Sequence, residues 1–202
     1  DPRIRVIRKE NGGTASALNA GVARSEGAWV QWLSADDLYL PRKLSVHREG
    51  IEGFSETRFF FSDFGVVDDA TRETAEGTFG RPIPPTDRQV PELLEGNFIN
   101  GISICVHRDV FEAVGGFNGD IRYAQDYDFY LRALPRFPAV HIEEQTCRKR
   151  FYPGQGISER EAEMLFDCAQ SAIRCLNRNG LPALLPLVDL ADLADDVVPI
   201  DA

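Results

Sequence analysis

Positions 3 to 8 alternate polar and apolar residues, with Ile4 and Val6 on one face, which predicts a strand. Asn11-Gly12-Gly13 then turns the chain into a small-residue helix from about Thr14 to Arg24, closed by Ser25-Glu26-Gly27. The run Ala28-Trp29-Val30-Gln31-Trp32-Leu33 is bulky and nearly uninterrupted, as expected of a parallel strand covered on both faces. Strand, helix and strand within about 30 residues predict one right-handed βαβ unit.

Beyond it, Pro41 opens a helix running to about Gly50, and Arg58 to Asp63, centred on three phenylalanines, reads as a second buried strand. The stretch from Asp68 to Gln89 is rich in Thr, Gly, Pro and Asp and predicts an irregular, mobile surface excursion. Gly101 to His107 alternates as a strand, and Arg108 to Val114 forms a short helix stopped by Gly115-Gly116. Asp126 to Leu134 gives a helical turn or two, followed by strands through Val140-Ile142 and Thr146-Tyr152. From Ser158 to Asn177 the pattern is helical, with Ser158 and Glu161 as a capping box and Gly180 as the stop. Strands alternating with helices in this way predict an α/β fold whose sheet is mostly parallel with helices on both faces.

Composition narrows the possibilities. With 43% hydrophobic residues, thirteen Phe and two Trp among 202 residues, the chain carries far more apolar area than a disordered one. No run approaches the roughly 18 apolar residues that span a bilayer, and the start has neither a signal-peptide core nor an initiator Met. The first residues therefore read as mid-strand, with a segment expected upstream. A formal charge of −10 argues against nucleic acid as a partner, so an anionic ligand needs a local device. Nine acids and three bases follow Ser158, and the last stretch, Asp189 to Asp201, has no base; residues 159–202 read as a helical, acidic appendage to a domain over 1–158. Cys105, Cys147, Cys168 and Cys175 contain no C-x-x-C pair and read as reduced thiols of a cytoplasmic protein.

Three segments carry candidate chemistry. Asp36 and Asp37 follow a buried strand, where carboxylates can hold Mg²⁺ or Mn²⁺, or alternatively cap the next helix. Asn11, Gly12 and Gly13 open a helix whose first N–H groups can seat an anion, or form only a tight loop. Tyr123-Ala124-Gln125-Asp126-Tyr127-Asp128-Phe129 sets acids beside aromatics at a helix start, a setting that tunes a general base; an N-cap would claim one of the two aspartates. His47, His107 and His141 have no partner at metal-ligand spacing, and strand alternation separates Trp29 from Trp32.

Taken in order, Glu10-Asn11-Gly12-Gly13 with Asn19-Ala20-Gly21, Leu33-Ser34-Ala35-Asp36-Asp37 through Leu44, Ser62-Asp63-Phe64, Val114-Gly115-Gly116-Phe117, Ala124-Gln125-Asp126-Tyr127-Asp128 and Tyr152-Pro153-Gly154 resemble the family 2 glycosyltransferases of the GT-A fold. The resemblance covers about residues 1–158. It implies sugar transfer, with inversion, from a nucleotide-diphosphate donor to an acceptor hydroxyl on a glycan, a lipid-linked molecule or a protein, as in cell-wall or polysaccharide biosynthesis. It implies Asp126 as catalytic base and Asp36 as the ligand of a Mg²⁺ or Mn²⁺ ion. Asn11, Gly12, Gly13, Asn19, Asp36 and Asp37 fall on the donor side, and Gln125 and Tyr152 on the acceptor side. A cytoplasmic location, peripheral to the inner face of the membrane, goes with it.

Four positions depart from the family pattern. Ser34 stands for an Asp, Leu18 for an Arg, Gln125 for a Glu and Tyr152 for a His, each losing a charge or a ligand, so metal affinity should fall. The family's opening strand-helix-strand, which carries the nucleotide-recognising acid, has no counterpart in these residues. The open edge this leaves invites pairing with another chain as a homo-oligomer. The alternative is a degenerate, non-catalytic interaction module of the same fold.

Overall fold

In a computed structural model, residues 1–72, 84–152 and 160–180 are described. Five strands form one sheet in the order β1-β4-β3-β5-β2. They are β1 (Trp29–Val30), β2 (Leu38–Tyr39), β3 (Phe59–Val67), β4 (Ile104–His107) and β5 (Ala139–Arg150). Six α-helices flank them: α1 (Gly13–Arg24), α2 (Lys43–Gly53), α3 (Gln89–Glu95), α4 (Arg108–Val114), α5 (Gln125–Ala133) and α6 (Glu161–Asn179).

Phe59, Phe60 and Phe61 are all buried because both faces of β3 are covered. Phe59 and Phe61 join a core built from α1, α3, α4, α5 and α6. Phe60 and Ile142 face the other way, against Gly50 of α2. The helices thus cover both faces, as expected of an α/β fold. The mostly parallel sheet is corrected: β3 and β5 run parallel, but β1–β4, β3–β4 and β2–β5 are antiparallel. The continuous apolar run of β3 reports two-sided burial and carries no information about strand direction.

Residues 3–8 form no strand. Ile4 and Val6 stay exposed, because a strand needs a partner for its N–H and C=O groups and none pairs here among the described residues. The βαβ unit is therefore not formed. β1 is cut to two residues paired only with β4, and Leu33 is exposed. Two expected strands, Val140-Ile142 and Thr146-Tyr152, are one strand, β5, whose pairing with β3 shifts register around Ser62, Asp63 and Phe64. Gly101–Ser103 is a 3₁₀ turn ahead of β4, and α3 and β2 were not legible in the pattern.

The helix Arg108–Val114 and its stop at Gly115, at φ +79°, match the expectation. Arg108 donates to the carbonyls of Val22, Ser25 and Gly27, fixing the end of α1 to the start of α4. α6 packs on α5, adds Cys175 to the common core, and ends at Gly180. Ser158 of the expected capping box, the acidic tail and half of the 68–89 excursion lie outside the described residues. Among those described, no helix is long and apolar enough to cross a membrane.

Candidate active site

The loop between β1 and β2 carries Asp36 and Asp37. β5 pins it: the main-chain N–H of Arg150 donates to Asp37 Oδ1 at 2.8 Å, and the Arg150 guanidinium donates to the Asp36 carbonyl at 2.9 Å. Tyr152, expected on the acceptor side, reaches the same loop, its hydroxyl 3.4 Å from Asp36 Oδ2. Burial pushes the Asp37 carboxyl above its usual range; the Arg150 N–H opposes this, the neighbouring Asp36 charge adds to it, and Ser34 and Lys149 oppose it.

Asp126 lies one residue into α5, half-buried, with Oδ1 accepting the Tyr127 N–H at 2.8 Å. Burial raises its pKa, against the Tyr127 N–H and the Lys149 charge. The Lys149 charge thus makes the same minor lowering contribution at Asp37 and at Asp126. No sequence signal marked it within the run Arg148-Lys149-Arg150. Beside Asp126, Gly101 leaves room for the Trp32 ring: a Cβ there would meet Trp32 Cζ2 at 2.9 Å and Asp126 Oδ2 at 3.3 Å. Gln125 is half-buried, and its Oε1 has no hydrogen-bond partner among the described residues.

Asn11, Gly12 and Gly13 are exposed at the start of α1, where Gly13 takes φ +79° and its N–H is held by Asn11 Oδ1 at 3.0 Å. Asn19 is committed elsewhere. Its amide donates to the Phe117 carbonyl and accepts the Phe117 N–H, both at 2.8 Å, closing α1 onto the Gly115-Gly116 turn. Gly116 packs against the same amide, where a Cβ has no room. Leu18 packs against the core. A cleft of about 970 Å³ lies between residues 2–8 and α1, away from the carboxylates.

Among the described residues, no group of three His, Cys, Asp or Glu is set to hold a metal ion. A cation that takes one protein carboxylate and fills its shell with substrate phosphates still fits Asp36, since Mg²⁺ binds in this manner. Trp29 contacts Phe60 and His107, whereas Trp32 contacts Phe117, so the two rings face opposite sides as expected.

The helix-flanked mixed sheet, with acids on the β1–β2 loop and at the start of α5, is of the GT-A fold. The solved Staphylococcus aureus TarS superposes with a TM-score of 0.55 at 13% identity, over 93% of this chain and 34% of TarS. TarS residues 1–349 in complex with UDP-GlcNAc give 0.52 at 13% identity, over 95% and 58%. The model of glycosyl transferase family 2 matches residues 1–115, and the chain belongs to that family. Relatives include an uncharacterized glycosyltransferase of Rickettsia felis, 31% identical over 76% of this chain and 26% of its own length. Another, from Haemophilus influenzae, is 29% identical over 74% and 51%. The succinoglycan biosynthesis protein ExoU of Rhizobium meliloti is 29% identical over 69% and 44%. The chain thus spans from a quarter to half of the length of these relatives.

Proposed function

We propose that the chain carries the donor-phosphate and acceptor-activating part of an inverting glycosyltransferase that uses a nucleotide-diphosphate sugar. The observation that carries this reading is Asp126, a carboxylate raised by burial at a helix start, which meets the Trp32 ring across Gly101 just ahead of the loop of Asp36 and Asp37. A raised carboxyl is a stronger proton acceptor once ionised, as a base for an alcohol requires. The UDP-GlcNAc complex of TarS supports a nucleotide-sugar donor, and the biosynthetic name of ExoU supports a polysaccharide product.

In this mechanism the acceptor oxygen attacks the anomeric carbon as Asp126 takes its proton, and the nucleoside diphosphate leaves from the opposite face. Asp36 would hold a Mg²⁺ or Mn²⁺ ion, which would supply Lewis-acid stabilisation of the leaving diphosphate. Asp37 orients the loop through Arg150, and Tyr152 supports the Asp36 carboxylate. Asn11, Gly12 and Gly13 face the donor, while Asn19 acts on it through the α1 geometry. Gln125 offers its unpaired oxygen on the acceptor side.

The test is nucleotide release from UDP-sugars by the protein and its Asp126→Asn variant, with donor binding followed by calorimetry. Lost transfer with retained binding supports the assignment; unchanged transfer refutes it. Leu18, which gives a donor no charge, favours the rival reading of a non-catalytic module. Donor turnover by the unsubstituted protein excludes that rival.

A further inference from the structure

Beneath the site lies a buried polar cluster that the proposed chemistry leaves unused. Lys43 of α2 is 1% exposed. Its Nζ donates to the Ser103 carbonyl at 2.8 Å, lies 3.1 Å from His47 Nε2, and sits 5.2 Å from the centre of the Tyr39 ring. Tyr39 in turn donates its hydroxyl to the Trp32 carbonyl at 2.6 Å. Ser62 Oγ donates to the same Ser103 carbonyl at 3.2 Å.

Trp32 is thus held at both ends from one nitrogen. Its carbonyl is held through Tyr39; its ring lies against Gly101 in the turn that Lys43 fixes at Ser103. Gly101 also borders Asp126, and Trp32 leads within four residues to Asp36. We propose that Lys43 is a positioning residue, whose buried ammonium sets the loop of Asp36 and Asp37 against Asp126 by holding both ends of Trp32. The role in catalysis rests on the transferase reading above; the tie to Trp32 does not.

An apolar side chain of similar length would fill the same space without the cost of burying a charge, so the ammonium needs a reason to be there. Its surroundings define its state. Burial brings Lys43 down to about 8, and His47, pushed down to about 3 by burial and by Lys43, is neutral. His47 Nε2 therefore accepts from Lys43, and the ring proton sits on Nδ1. The other groups facing Lys43 are Tyr39 from β2, Cys105 from β4 and Cys147 from β5. Burial raises the Tyr39 phenol and sets both thiols at about 11, so all three stay neutral as Lys43 titrates. Asp37 acts on Cys147 from the loop itself. Raising the pH through about 8 discharges Lys43 and loosens its hold on Ser103 and Tyr39.

The experiment records Trp32 emission in the Trp29→Phe protein between pH 6.5 and 10, beside the ¹³Cε NMR signal of Lys43. Both are expected to move with one midpoint near 8, and Lys43→Met should abolish the emission change. In the same range the KM for UDP-GlcNAc, the donor probe, should rise about tenfold with a smaller change in kcat, and Lys43→Met should show the high-pH KM at pH 7. A flat Trp32 signal while Lys43 titrates overturns the tie, and does so without any substitution at Lys43. A Trp32 response without sugar transfer by the unsubstituted protein supports the tie and overturns the transferase reading. Unchanged kinetics in a folded Lys43→Met protein overturn the positioning role.

Discussion

Asp37 and Arg150, 113 residues apart in sequence, meet through a main-chain N–H to carboxylate hydrogen bond of 2.8 Å. The bond makes the two adjacent acids unequal. Asp37 is spent on holding the loop, while Asp36 presents Oδ2 to the Tyr152 hydroxyl at the long distance of 3.4 Å. Asp37→Ala is expected to cost about 1–3 kcal/mol, the penalty for leaving a half-buried N–H unpaired, and Asp37→Asn much less because Oδ1 survives. Urea denaturation of the two variants checks this.

Asp36→Ala is expected to act on the ligand instead. Donor binding should lose its dependence on Mg²⁺ or Mn²⁺, measured by calorimetry with and without a chelator. Cation-dependent binding that persists in Asp36→Ala would remove the metal role from this residue.

As the proposed base, Asp126 would work in its ionised form, and its pKa lies above the usual aspartate value of 3.8. The kcat/KM should therefore fall as pH drops, with an inflection above 3.8 that is absent from donor binding. Asp126→Asn should lower kcat by about 10²- to 10⁴-fold, the usual contribution of a positioned base. Steady-state rates across pH measure both.

Acid should destabilise the fold through His47. Its folded pKa is about 3 against an ordinary 6.5, so below 6.5 the unfolded chain takes up a proton that the folded one refuses. Stability is fully present above about 6.5 and is lost as pH falls towards 3, by an amount on the order of a few kcal/mol. Asp37 and Asp126, raised in the fold, act with the opposite sign in acid. Urea midpoints at pH 4.5 and 7 should differ less in His47→Gln than in the unsubstituted protein.

Asn19→Ala removes both hydrogen bonds to Phe117 and opens space beside Gly116. A loss of about 2 kcal/mol is expected, since two backbone groups of a tight turn lose their partners. Thermal unfolding of the variant tests it. Arg132, which donates to the Val114 and Gly116 carbonyls, keeps the turn itself from opening.

Much of this architecture was legible because local chemistry dictates it. The α4 stop at Gly115 needs only a glycine at positive φ, and the burial of Phe59 to Phe61 needs only their apolar run. Strand direction was not legible, because burial is blind to it; nor was β2, whose two residues pair with Cys147 and Arg148 far along the chain. At the site, the carboxylates stood out as types and spacings. Lys149 and Gly101 did not, since a lysine among arginines and a glycine before a strand have no local mark of function. The double bond of Asn19 to Phe117 spans 98 residues and belongs to tertiary structure alone.

The parallel pairing of β3 with β5 brings Phe59 opposite Ala139, and so encloses 79 residues between its two ends. Closing a loop of that length costs chain entropy before the ladder returns any of it, and long-range pairing of this kind slows folding. The strand carrying Arg150 to the Asp37 carboxylate therefore meets this closure cost before its bond to the loop can form. A chain still being synthesised cannot form the Asp37–Arg150 bond until residue 150 has emerged, by which time β3, α3, β4, α4 and α5 are already available as a template. Shortening the 68–89 excursion should speed folding only slightly, because closure entropy depends on the logarithm of length, whereas loss of the Phe59 to Ser62 ladder would leave the loop of Asp36 and Asp37 without its far support.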